Sequence, residues 1–347
     1  MKFIPYSEAS KHDDVVVVDA YLPDKLNLSH WRGVESPPHL KADTSTEIVL
    51  RALVETPEIA DREYCTCNHW DIDGFLGIWA LHNPVLAMAG KNLLISMARL
   101  ADFREKYGDD ETYSAALSLV CYLNTLESEK FYAPFEMEAA EATVCLPKYE
   151  YFLEHFSGYM ASEITFVTSE HLMVKSHQDR MESSGQMMKY PEIGLAVVAS
   201  PTPLHYYALF ADTADIDLVL TMYPGNRYEL EQKYSTWVET TRTSFPRLDL
   251  SKLANFLNEL EMSDQHVWVG DHFTETGPLL RISTNKLTRA ERFQSPVNRE
   301  ILPSLISPMM MQMAIVEFLR NCYQGIQPKN RWTWEEVRQF NDSITIW

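Results

Sequence analysis

Within seven residues, Asn68-His69-Trp70-Asp71-Ile72-Asp73-Gly74, the chain places an imidazole and two carboxylates at alternate positions ahead of a glycine. Oxygen and imidazole ligands of this kind suit a hard divalent cation such as manganese or magnesium. An apolar run, Tyr64 to Cys67, comes before them and Phe75 to Leu81 comes after. The pattern predicts a strand over 62–68, a helix from about Phe75, and the three ligands at the carboxyl end of the strand, where open α/β sheets keep their ligands. Alternate residues of a straight strand stand about 7 Å apart, so one ion cannot take all three. Either the backbone turns at Asp71, or the side chains serve two ions roughly 3.5–4 Å apart, as in two-metal phosphoryl-transfer sites. Gly74, lacking a Cβ, would let a phosphate approach the helix N-terminus, with Asn68 as a second substrate contact. The competing role for the same residues is structural: an Asp-rich turn capping the next helix, with His69 packed against Trp70.

The string His69-x-Asp71-x-Asp73-Gly74 resembles the first motif of the DHH phosphoesterases, manganese-dependent phosphohydrolases that include exopolyphosphatases, pyrophosphatases, single-strand exonucleases and cyclic-dinucleotide hydrolases. The strings Leu28–Trp31, Ala42–Glu47 and Asn68–Gly74, in this order, also resemble an uncharacterised family of bacterial proteins over residues 15–105. The DHH resemblance implies an Asp at the end of a buried strand, and Val15-Val16-Val17-Val18-Asp19 supplies it. Two histidines follow that Asp in the DHH motif. Here Ala20 and Tyr21 follow, which leaves His30 as the replacement imidazole. The valine strand also precedes the His-x-Asp-x-Asp strand, which implies a circularly permuted or independently assembled version. Asp102 is similar in placement to the later acidic motif. The implied metal ligands are Asp19, His69, Asp71, Asp73 and Asp102, with catalytic roles for Asp71, Asp73 and His30.

These residues need elements to carry them. The 347 residues, 46% hydrophobic and 23% charged, suffice for two globular domains. The expectation is an α/β fold: a mainly parallel sheet flanked by helices in residues 1–185, then a smaller α+β domain in 186–347 for substrate or closure. Asp43-Thr44-Ser45-Thr46-Glu47 opens a helix with Thr44 and Glu47 at capping-box spacing, and its hydroxyls at Thr44 and Ser45 could cradle a substrate anion. Asn83-Pro84 starts a helix through about Leu100, with Asp102 just beyond it. In the second half, 195–199, 206–210 and 217–223 read as strands, 228–240 as strand and short helix, and 249–261 as a helix. A strand pair encloses the loop 271–277. Arg227, Arg242, Arg247 and His272 are substrate-binding candidates there by arrangement alone, and His171 and His177 read as surface or core histidines. Met309, Met310, Met311 and Met313 predict a buried helix.

Charge and cysteines narrow the class. Thirty basic against 49 acidic residues give a net charge of −19, which argues against duplex nucleic acid or an anionic membrane as partner. Five cysteines without C-x-x-C spacing, and an N-terminus without a signal-like apolar core, predict a reduced cytoplasmic protein without a membrane span. The expected function is a divalent-metal phosphohydrolase, manganese or magnesium dependent, acting on a small phosphorylated or nucleotide substrate. An inactive DHH-like ligand-binding module is the alternative, and a homodimer is left open.

Overall fold

Four consecutive valines give the first sheet its centre, because a strand covered on both faces needs side chains that are apolar in both directions. In the computed structural model, which describes residues 1–131, 141–162, 164–233, 237–263, 266–275, 277–283 and 294–344, all four are buried. The described chain divides into two units, the first comprising Met1–Leu172 and Val238–Thr241, the second Met173–Trp237 and Arg242–Trp347.

The first unit runs β1 (Lys2–Phe3), α1 (Tyr6–Ala9), β2 (Val15–Val18), β3 (Leu26–Leu28), α2 (Ser45–Glu55), β4 (Tyr64–Thr66), α3 (Ile72–His82), α4 (Pro84–Ala89), α5 (Lys91–Phe103), α6 (Asp110–Lys130) and α7 (Glu141–Met160). Its sheet has the order β1-β4-β2-β3 with every neighbouring pair parallel, so the carboxyl ends of β2, β3 and β4 lie along one edge. Strands this short, roughly 10 Å, let the few residues between Val18 and Leu26 return the chain for a parallel pairing that normally takes a longer crossover. Helix α3 settles closely on β2 at a glycine: a Cβ on Gly77 would stand 2.7 Å from Cγ1 of Val18. The other side of α3 is sealed by aromatic rings, with Trp70 stacked on Phe152 at 4.6 Å and Phe75 and Trp79 each edge-on to Phe156.

The helix expected from Asn83 through Leu100 is two helices. Gly90 interrupts it, and α5 then continues past Leu100 until Arg104 adopts a left-handed C-cap at φ 60°. Asp102 therefore sits inside the last turn of α5, not beyond a helix.

A further helix, α8 (Ser169–Ser184), leads into the second unit. There β5 (Gln186–Tyr190), β6 (Leu195–Ala199), α9 (Tyr206–Leu209), β7 (Leu218–Tyr223), β8 (Arg227–Gln232), α10 (Leu250–Glu261), β9 (Val267–Gly270), β10 (Leu279–Ser283), α11 (Pro308–Cys322) and α12 (Trp334–Ser343) follow. The sheet order is β5-β6-β7-β8-β10-β9, antiparallel except for β6 with β7. Leu253 and Leu257 of α10, Phe318 and Leu319 of α11 and Phe340 of α12 share one core with Leu218, Leu220 and Leu230 of the sheet.

Two readings of this half are corrected. Tyr206–Phe210, aromatic enough to read as a strand, is a helical turn: His205 caps it through the Tyr207 N–H at 3.3 Å, and Phe210 N bonds the Tyr206 carbonyl at 2.9 Å. The methionines of α11 are mostly outside, with Met309 71%, Met310 51% and Met313 60% exposed, while Met311 alone of the four is buried; Ile315, Phe318 and Leu319 supply the buried face. Of the stretches 228–240 and 271–277, residues 234–236 and Thr276 lie outside the described residues. Among the described residues no helix is long and apolar enough to cross a membrane.

Candidate metal centre

Three of the four strands of the first sheet, β2, β3 and β4, each deliver one segment of the site to the same edge. Asp19 follows β2, His30 follows β3, and His69 and Asp71 follow β4. Asp71 becomes the N-cap of α3, its Oδ1 accepting the Gly74 N–H at 2.7 Å. The helix thus starts at Ile72, earlier than expected, and the turn puts Asp73 one step into it. Asp73 is fully buried, and its two oxygens accept the N–H groups of Ser45 at 2.7 Å and Thr46 at 2.8 Å.

This last contact bears on Thr44 and Ser45, expected to cradle a substrate anion. The N-terminus of α2 does cradle an anion, but the anion is internal: the Asp73 carboxylate fills it. Thr44 caps the helix by accepting the Glu47 N–H at 3.2 Å, while Glu47 turns to Arg51 and Arg99. Ser45 Oγ donates to Asp19 Oδ1 at 2.7 Å and accepts the His30 N–H at 3.2 Å. All three of Thr44, Ser45 and Thr46 are completely buried.

Asp19 stands between two imidazoles. Its Oδ1 lies 3.2 Å from His30 Nε2, and its Oδ2 lies 3.3 Å from His69 Nε2. His30 Nε2 is also 3.5 Å from Asp73 Oδ2 and 3.4 Å from Asp102 Oδ2, and His69 Nε2 is 3.0 Å from Asp71 Oδ2. Two ligand sets result, Asp19–His69–Asp71 and Asp19–His30–Asp73, each with its ligand atoms within 4.8 Å of one another. Asp19, His69, Asp71, Asp73, His30 and Asp102 are therefore brought together.

The ring nitrogens facing away from the centre fix the tautomers. His30 Nδ1 lies 2.5 Å from the Asp43 carbonyl oxygen, which can only accept, so Nδ1 carries the proton. His69 Nδ1 lies 2.7 Å from Asn68 Oδ1 and 3.5 Å from Cys67 Sγ; with the amide oxygen toward the ring, Nδ1 donates to it. Both Nε2 atoms then point at carboxylates, an arrangement that needs either a proton or a cation between them. Asn68, foreseen at the substrate, orients His69.

Without a cation, protons must serve. Burial works against the charged His30 imidazole, but the Asp19 hydrogen bond and the charges of Asp19, Asp73 and Asp102 overcome it and lift the ring to about 10. Burial likewise opposes a charged His69, yet the Cys67 and Asp71 charges and the Asp19 bond push it well above its ordinary value. Burial would raise the Asp19 carboxyl, but its bonds to His30 and His69 hold it below the carboxylate range. Asp73 is pushed up by burial and then by the Asp19 charge, and Asp102 by burial and then by Asp73 and Asp71.

Gly74 has neighbours of its own. A Cβ there would meet Asp71 Oδ1 at 3.1 Å, Cys67 Sγ at 3.2 Å and the Tyr149 hydroxyl at 3.3 Å, so the glycine admits protein atoms where a phosphate was foreseen. Arg227 and His272 belong to the second unit and have local roles there: Arg227 Nε donates to the Pro224 carbonyl at 2.9 Å across the β7–β8 turn, and His272 Nδ1 pairs with Thr274 Oγ1 at 2.8 Å. Arg247 Nη1 donates to the Lys233 carbonyl at 2.8 Å, also within that unit. The orienting groups Asp43, Asn68 and Ser45 were not foreseen in those roles; for Asp43, which acts through a backbone carbonyl, no side-chain signal exists.

Comparison with known proteins gives a family. The model of DUF6687, a family of unknown function, matches residues 1–330. No curated protein and no solved structure matches the chain.

Proposed function

The chain belongs to the DUF6687 family of unknown function, its activity must be sought in its own residues, and we propose that it is a divalent-metal phosphohydrolase, manganese or magnesium dependent, acting on a small phosphorylated or nucleotide substrate. The observation that carries the reading is Asp19, whose two oxygens face two separate imidazole–carboxylate sets. Asp19, Asp71, Asp73 and Asp102 bring four carboxylates to one place, with Asp19 and Asp73 buried, and uncompensated buried charge is costly. Two divalent cations would balance it. The oxygen and imidazole donor set fits such hard ions, and the motif's likeness to the DHH phosphoesterases points the same way.

Bound there, the cations would neutralise a phosphoryl group and acidify a water nucleophile. The chain's own contribution is preorganisation. Asp43 and Asn68 hold the imidazoles in the tautomer that presents Nε2, and the N-terminus of α2 fixes Asp73 through two backbone N–H groups. His69 and Asp71, partly exposed where Asp19 and Asp73 are not, form the side open to a substrate.

Metal content of protein purified without chelator, followed by a phosphomonoester, phosphoanhydride and phosphodiester panel with manganese, magnesium and cobalt, tests the reading. Two equivalents of metal and turnover of one substrate class support it. A specific departure favours a second reading: buried Ala20 and exposed Tyr21 stand where the DHH motif has its two histidines. Metal bound, no turnover and a nucleotide that still stabilises the protein thermally would make it a binding module.

A further inference from the structure

The two imidazoles of the centre are oriented in different ways. His69 takes its orientation from the adjacent Asn68. His30 depends on a segment far along the chain. Its Nδ1 is fixed by the Asp43 carbonyl, and its own carbonyl accepts the Glu239 N–H at 2.7 Å. The Asp43 carboxylate accepts both the N–H and the Oγ–H of Thr241, each at 2.6 Å on Oδ1, and Arg99 Nη2 lies 3.0 Å from its Oδ2. Val238 forms an antiparallel bridge with Trp31, and its carbonyl accepts from Arg32 Nη2 at 3.1 Å. The strap Val238–Thr241 therefore grips the chain at His30 and at Trp31, Arg32 and Asp43 after it, although Thr241 is 198 positions from Asp43.

We propose that this strap positions His30 through Asp43, so that Thr241 and Asp43 govern the cation held by Asp19, His30 and Asp73 while leaving one held by Asp19, His69 and Asp71 largely independent. The inference rests on the two-cation reading above. Its physical basis is that a metal-ligating imidazole is aimed by whatever accepts its other N–H. That acceptor is a carbonyl of the same residue whose carboxylate the strap ties down. Removing the direct acceptor of a ligating imidazole typically costs about 10–100-fold in metal affinity; Thr241 and the Asp43 carboxylate act one step further out and leave that carbonyl in place, so the loss they cause should be at or below the lower end of that range. Thr241 is a positioning residue and touches no ligand atom of the centre. It is exposed, so Thr241→Val removes a hydroxyl without opening a cavity.

Manganese is titrated into the full chain and into Thr241→Val, Thr241→Ser and Asp43→Asn, with stoichiometry read by equilibrium dialysis and the electron paramagnetic resonance spectrum recorded at each ratio. The wild type should bind two ions and give a spin-coupled spectrum. Thr241→Val and Asp43→Asn should keep one ion at wild-type affinity, weaken the other by up to about 10-fold, and show an uncoupled signal at one equivalent. Thr241→Ser, which restores the hydroxyl, should return the coupled spectrum. Urea midpoints measured without metal exclude a folding defect, and if Asp43→Asn shifts its midpoint, the Thr241 pair decides. Two ions bound with unchanged affinity in Thr241→Val and Asp43→Asn, or both ions weakened equally, overturns the inference alone. Fewer than two ions on the wild type removes the two-cation reading and the inference with it.

Discussion

Asp19 ends β2 with φ 48°, in the left-handed region that Asp and Asn tolerate better than other side chains. That turn is what brings its carboxylate between His30 and His69, and it makes Asp19→Asn clean at the backbone: Asn keeps the tolerance and one acceptor oxygen, while it loses the charge and the second acceptor. The expected outcome is at most one manganese ion in place of two, and a fall in kcat of about 1000-fold, the upper end of the loss when one transition-state electrostatic partner is removed. Asp71→Asn is equally clean for another reason: Asn caps a helix as well as Asp does, so the Gly74 N–H keeps its acceptor. It should lower kcat about 100-fold or more with a urea midpoint close to wild type. Retained activity in both variants would remove the metal reading. The candidate ligands His69, Asp71 and Asp73 stand out in the sequence because they are close together and of the right chemistry. The groups that aim them do not. A backbone carbonyl at Asp43 and a hydroxyl at Thr241 leave no mark in spacing or composition.

At the scale of elements, α3, which carries Asp73, sits on β2 through a glycine. Gly77 stands over Val18 with room for no Cβ, since the nearest methyl would be 2.7 Å away. Gly77→Ala should therefore push α3 outward and destabilise the first unit by about 1–3 kcal/mol, the usual range for overpacking. It should also weaken manganese binding through Asp73. Val18→Ala in the same chain should recover most of the loss, and a double-mutant cycle in urea reports the coupling. Additive effects of the two substitutions would show that the contact does not set the helix position. The run Val15–Val18 announced a buried strand because burial on both faces demands uninterrupted apolar residues. Tyr206–Phe210 misled because aromatic residues favour strands on average, whereas here the local cap at His205 wins. The methionine run of α11 misled because hydrophobicity was read without its phase: only one of four positions falls on the face set by Ile315, Phe318 and Leu319.

For the molecule as a whole, the division into two compact units leads to the expectation that one unfolding free energy will not describe the chain. On the two-cation proposal, bound ions would stabilise the state that contains the assembled carboxylates and imidazoles, by about 2.7 kcal/mol when free ion exceeds Kd a hundredfold. That gain belongs to the unit carrying Asp19, His30, His69 and Asp73. The second unit carries a different sensitivity. His177 accepts the His205 N–H at Nδ1, 2.8 Å away, and burial, then the Arg180 and His205 charges, lower it below its ordinary value of 6.5. Because the folded value is the lower one, the neutral ring's contribution is fully present above 6.5 and is lost as pH falls through the folded value; the unfolded chain takes up the proton first. Hydrogen exchange, expressed as protection factors so that intrinsic rates cancel, separates the two effects. Manganese at pH 7.5 should slow exchange in Val15–Val18 and Tyr64–Thr66 and leave Leu195–Ala199 and Tyr206–Leu209 unchanged. Acidification to pH 5.5 without metal should speed exchange in the latter two segments. His177→Gln, whose side-chain carbonyl can accept the same N–H without titrating, should flatten that pH response. Equal protection of both units by manganese, or an unaltered pH response in His177→Gln, would show that the chain opens as one cooperative body and that this histidine does not set its acid limit.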